Sequence, residues 1–206
     1  MVEELSKRGV LHSDNFQKVV VERGDIIAAT ALEAVRVKIA ELAESVIGRL
    51  KLISAAHKLT IPARDGKRTI AKAKTVFTWG IDGDFKNWGL DLPGLATPTT
   101  DVEVHEMVKD GTFADIYAGT GRDLDKLVLT QDQVIAFVET HKAWLRTEGY
   151  GTFFLLKQGA EFFVASVDVD SDGTVGAGVR RFSDDFVWVA KCRHRFVLPQ
   201  LSAVAD

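Results

Sequence analysis

Cys192-Arg193-His194 is the part of this chain best equipped for chemistry. A thiol beside an imidazole can be a nucleophile with its base, or it can supply half of a zinc site. Zinc in a structural site takes four ligands, and Cys192 is the only cysteine, so the metal reading would have to borrow distant groups. A hydrolase built the same way would combine Cys192, His194 and His105 with a carboxylate such as Asp82 or Asp84. The run Asp168-Val169-Asp170-Ser171-Asp172-Gly173 opens like a calcium loop, whose twelfth position should be a bidentate glutamate and is Val179. Asp168, Asp170 and Asp172 are thus an incomplete metal set, and no cofactor is expected.

The elements that must carry these residues decide between chemistry and structure. Phe162 to Val169 and Thr174 to Val179 are strand formers, where a calcium loop needs flanking helices. A hairpin with Ser171, Asp172 and Gly173 as its loop pairs Val169 with Val175, Val167 with Ala177 and Ala165 with Val179, making one face wholly apolar. The alternation of the last strand places Phe186, Trp188, Ala190, Cys192, His194, Phe196 and Leu198 on one face. Cys192 and His194 are therefore expected in the core, as packed residues in preference to catalysts. Lys191, Arg193 and Arg195 form a basic row on the opposite face, expected to be solvated and paired across strands with Asp168, Asp184 or Asp185, with phosphate contact as the alternative.

Two echoing units, Trp79-Gly80-Ile81-Asp82 and Trp88-Gly89-Leu90-Asp91, sit in a turn-rich region. Their indoles can meet a sugar or a base, or they can pin their loops to the core, and the large burial energy of an aromatic ring favours pinning. Trp79, Trp88, Arg193 and Arg195 are the candidate binding residues.

Composition restricts the classes available. A 46% hydrophobic content over 206 residues fills a real core, and one cysteine excludes an internal disulfide framework. The charged start, Met1 to Arg8, leads into no long apolar run, so neither a secretory signal nor a membrane span is expected and a cytoplasmic location is. The net charge of −3 conceals a basic block, Arg49, Lys51, Lys58, Arg64, Lys67, Arg68, Lys72 and Lys74, followed by an acidic one from Asp82 to Glu139. Such neighbours can satisfy each other by folding together, and nucleic-acid binding through residues 49–74 is the less favoured alternative.

Along the chain, Asp25 and Gly48 bracket an amphipathic helix with Leu32, Val35, Ile39, Leu42 and Val46 on one stripe. Thr112 with Asp115, and Thr130 with Gln133, are capping pairs. The second opens a helix carrying Val134, Val138, His141 and Leu145 and ending at Gly149. Pro93-Gly94 and Thr97 to Thr100 form a linker candidate that divides 1–96 from 97–206, with one domain as the alternative.

The run Gly121-Arg122-Asp123-Leu124-Asp125-Lys126-Leu127, then Leu129-Thr130-Gln131, Trp144 to Thr147 and Gly149 to Leu155, resembles a block of uncharacterised proteins of reduced-genome candidate-phylum bacteria. The closing Arg195-Phe196-Val197-Leu198-Pro199 is similar as well. The resemblance covers the C-terminal half and implies no activity. The fold expected is α+β: an N-terminal long helix with short strands, and C-terminal helices covering an antiparallel sheet of about four strands. The function expected is that of a small intracellular binding or interaction protein for a protein or small-molecule ligand, without a membrane role. A hydrolase and a nucleic-acid-binding module are the alternatives.

Overall fold

Strand-forming runs dominate residues 46–200, which the computed structural model describes. They comprise β1 (Val46–Ile47), β2 (Leu50–Leu52), β3 (Leu59–Ile61), β4 (Gly80–Ile81), β5 (Thr100–Met107), β6 (Thr152–Gln158), β7 (Glu161–Val169), β8 (Val175–Arg181) and β9 (Arg195–Pro199). All nine join one sheet in the order β1-β2-β5-β9-β6-β7-β8-β4, with β3 also paired to β5. The β6–β9 and β4–β8 pairs are parallel and the rest antiparallel.

This overturns the expectation of helices covering a four-stranded antiparallel sheet. The sheet is mixed and about twice as wide, and the described α-helices are three short ones, α1 (Asp84–Asn87), α2 (Phe113–Ala118) and α3 (Gln131–Thr140). Local alternation misses such a sheet for two reasons. Strands of two or three residues leave almost no period to read, and β6 is buried on both faces, so Thr152 to Leu156 run as five consecutive buried residues. The helix expected from Asp25 lies outside the described residues as far as residue 45. At its expected end the chain is strand and turn, with Gly48 at φ +60° opening the β1–β2 hairpin.

The expected linker is part of the sheet's own framework. Arg64 and Thr97 exchange backbone hydrogen bonds of 2.9 and 2.8 Å, and β3 on one side of the proposed boundary pairs with β5 on the other. Contacts group the described residues as one unit.

Two apolar cores flank the sheet. On one face α3 contributes Val134, Ile135 and Val138, packed with Phe154, Phe163, Val167, Val179 and Val197. On the other, Phe113, Ile116 and Tyr117 of α2 meet Phe153, Leu155, Phe196 and Leu198. Each fully buried Phe or Ile here contributes roughly 2–3 kcal/mol. Both helices begin as the sequence predicts, with reciprocal capping boxes at Thr112/Asp115 and Thr130/Gln133. The second is shorter than expected. It stops at Thr140, whose hydroxyl donates back to the Ala136 carbonyl, and a 3-10 turn follows at Lys142–Trp144.

The β7–β8 hairpin has the predicted register, Ala165 with Val179, Val167 with Ala177 and Val169 with Val175. Gly173, at φ +83°, takes the left-handed position of its loop. The apolar face of the hairpin belongs to the first core. Its other face carries Ser166 and Asp168 opposite Gly178 and Gly176, four small or polar positions beyond the reach of α2's core.

Candidate functional site

The Cys192–His194 pair does not assemble into a nucleophile and base. The predicted strand from Phe186 is interrupted: Ala190–Cys192 form a 3-10 turn, Arg193 takes φ 53°, and only Arg195–Pro199 are strand. Asp110 stabilises the interruption, its carboxylate accepting from the Ala190 N–H at 2.7 Å. The facing argument therefore fails for Cys192, which is half-buried and not in the core, and for Phe186, which is exposed.

His194 is buried as expected, within an aromatic group of Tyr150, Phe153 and Trp188 at ring distances of 5.8, 5.1 and 5.0 Å. Its Nδ1 accepts from the Gly151 N–H at 3.2 Å, and burial holds its pKa below the ordinary histidine value. These are properties of a neutral packing residue. His105 lies elsewhere, wholly buried on β5, with Nε2 3.3 Å from Glu103. That contact, reinforced by Arg122, keeps the Glu103 carboxyl below the usual carboxylate range.

The basic residues are largely committed within the fold. The Nε atoms of Arg64 and Arg68 lie 2.9 and 2.7 Å from one oxygen of the buried Asp132, Arg68 also reaches Glu139, and Lys58 pairs with Asp101 at 3.1 Å. The basic segment thus meets the acidic one. Arg193 pairs with Glu106 at 2.9 Å, whereas the expected partners were Asp168, Asp184 and Asp185. Half-buried Arg195 donates to the Leu145 carbonyl, its pKa lowered by burial and by neighbouring Arg146. Asp170 and Asp172 brace their own turn, accepting from Ser171 N–H at 2.7 Å and Thr174 N–H at 2.8 Å. Among the described residues no three His, Cys, Asp or Glu side chains stand close enough to hold a metal ion.

One region gathers polar groups that the fold leaves available. The two tryptophan units divide in role. Trp88 is a pin, half-buried and stacked on Phe163 at 5.9 Å with the Arg181 guanidinium 5.0 Å from its centroid. Trp79, by contrast, is 58% exposed. Its backbone N–H donates to Val175 as β4 joins β8, and its indole lies against the bare backbone of Gly176. A Cβ at Gly176 would fall 2.6 Å from Trp79 Cε3 and 3.3 Å from Cζ3, so only glycine admits the ring there.

Beside the indole, Asp82 and Asp168 line a shallow depression of about 350 Å³ with the same glycine floor. It adjoins a second of about 500 Å³, which shares Asp82 and Gly178 and is walled by Asp84, Ser166, Arg180 and Asp184. Together they make one trough along the end of the sheet. Asp168 accepts a single long hydrogen bond, from the Ser166 hydroxyl at 3.5 Å, and burial raises its pKa above the usual carboxylate value. At the far wall Arg180 is held by Asp184 at 3.0 Å and by the rings of Phe186 and Trp188. The Asp184 carboxyl is held low by the Phe186 N–H and by Arg180.

Sequence reasoning had Trp79, Asp82, Asp84 and Asp168 as separate candidates and missed Ser166, Gly176, Gly178 and Arg180. Gly176-Ala177-Gly178 inside a strand was the available signal, since glycine there marks a close approach to the backbone. No helix of the described residues is long and apolar enough to cross a membrane. No family model, curated protein or solved structure matches this chain.

Proposed function

We propose that this chain is a small binding or interaction protein, cytoplasmic and without catalytic activity, whose ligand seats in the trough between Trp79 and Arg180. The observation that carries this reading is the exposed Trp79 indole, seated against the bare backbone of Gly176. An apolar ring left in water costs stability that burial elsewhere would recover, and a rigid indole beside convergent polar groups is the usual make-up of a ligand site. The lone unpaired cysteine accords with a reducing compartment. Hydrolysis has less support, because His194 and His105 are buried with separate partners and Cys192 makes no hydrogen bond to either. Nucleic-acid binding through 49–74 has less support as well, because Arg64 and Arg68 are paired with Asp132 and Glu139.

The test labels the tryptophans with fluorine, assigns the Trp79 resonance by Trp79→Ala, and screens a small-molecule and peptide library by NMR. Binders are expected to move the Trp79 resonance and to lose affinity in Trp79→Ala. Binders that leave Trp79 unmoved, with affinity unchanged in the variant, would overturn the assignment of the site.

A further inference from the structure

We infer that the trough takes an uncharged saccharide longer than one ring, with a pyranose stacked on Trp79; this rests on the site proposed above. The Trp79 indole is mostly exposed and its six-membered ring abuts the backbone of Gly176, so an aromatic surface stands at the edge of the depression. The C–H face of a pyranose is apolar and its edge carries hydroxyls, so it matches a ring bordered by hydrogen-bonding groups.

Those groups are present on both sides. Asp82 and Asp168 offer acceptor oxygens beside the indole, the Ser166 hydroxyl can donate or accept, and Arg180 has guanidinium donors beyond the one given to Asp184. Length follows from the strand: Gly176 to Arg180 is two side-chain repeats on one face, roughly 13 Å, enough for consecutive rings. Gly178 keeps the floor between them clear.

The competing ligands fit less well. A nucleotide brings phosphate toward Asp82, Asp84 and Asp168, while the nearby arginines already face Asp184 and Glu161. A quaternary ammonium is held by several aromatic faces, and among the described residues Trp79 makes no aromatic pair.

The experiment applies the full chain to a glycan array and then titrates the fluorine-labelled protein with cellohexaose, chitohexaose and any array hit. A polyglucuronate, a basic decapeptide and a ten-nucleotide DNA serve as comparators. A neutral oligosaccharide is expected to bind more tightly than its monosaccharide, to shift Trp79 selectively, and to weaken about tenfold or more in Trp79→Ala, with partial recovery in Trp79→Phe. Trp79 is mostly exposed, so both variants should fold, which circular dichroism would verify. No glycan binding, or glycan binding indifferent to Trp79→Ala, would overturn the inference. Selective movement of Trp79 by the peptide or the DNA would also overturn it, while upholding the site. Steady cleavage of a bound glycan would uphold the saccharide and overturn the non-catalytic reading.

Discussion

Asp168 shows how one side chain can be held in place at some expense to folding. Its carboxyl is partly desolvated, which raises its pKa, and the one long hydrogen bond from Ser166 offsets this only in part. An acid whose folded pKa exceeds its unfolded one favours the native state fully below the unfolded value. That contribution is lost as pH rises through the folded value. Asp168→Asn should therefore be at least as stable as the parent at pH 7, with the advantage disappearing near pH 3, as urea melts at the two pH values would show. An advantage that grows on acidification would contradict the burial argument. The residue was visible in the sequence only as part of an incomplete calcium loop. Its surroundings depend on Ser166, Trp79 and Gly176, and the last two come from outside β7.

Among the elements, the segment carrying Arg64 and Arg68 and the N-terminus of α3 are joined by a single buried acid. Asp132 lies in the first turn of the helix, where a negative charge is favoured. It accepts from both arginines and from the Gly66 N–H at 3.2 Å. Asp132→Ala would remove the counter-charge of half-buried Arg64, leave Arg68 with Glu139 alone and strand the buried Gly66 N–H. The expected loss is about 3–5 kcal/mol, measured by chemical denaturation. Loss below about 1 kcal/mol would mean that the pair is no stronger than an exposed salt bridge.

Short-range signals were legible at this scale. The two capping boxes and the β7–β8 register depend on neighbours within a few residues, and both were read correctly. The final strand was not, because nothing in its alternation reveals that Asp110, eighty residues earlier, captures the Ala190 N–H and diverts the chain.

Across the described residues, nine strands from distant parts of the chain share one sheet, and its mixed order is what local patterns cannot convey. The last of them, β9, lies between β5 and β6, antiparallel to one and parallel to the other. Phe196, Val197 and Leu198 also contribute to both cores. Truncation after Arg193 should therefore abolish the cooperative unfolding transition, with amide protons of β5 and β6 exchanging as in an unfolded chain. Retention of native-like protection in either strand would show that half of the sheet is stable without its centre.

The position of β9 also bears on how the protein is made. A ribosome delivers the chain in order, so β5 and β6 emerge with facing edges and nothing between them until Arg195–Pro199 follow. The nascent protein must hold two half-sheets apart, each with an exposed edge open to wrong partners, and its interior closes only once β9 has been made.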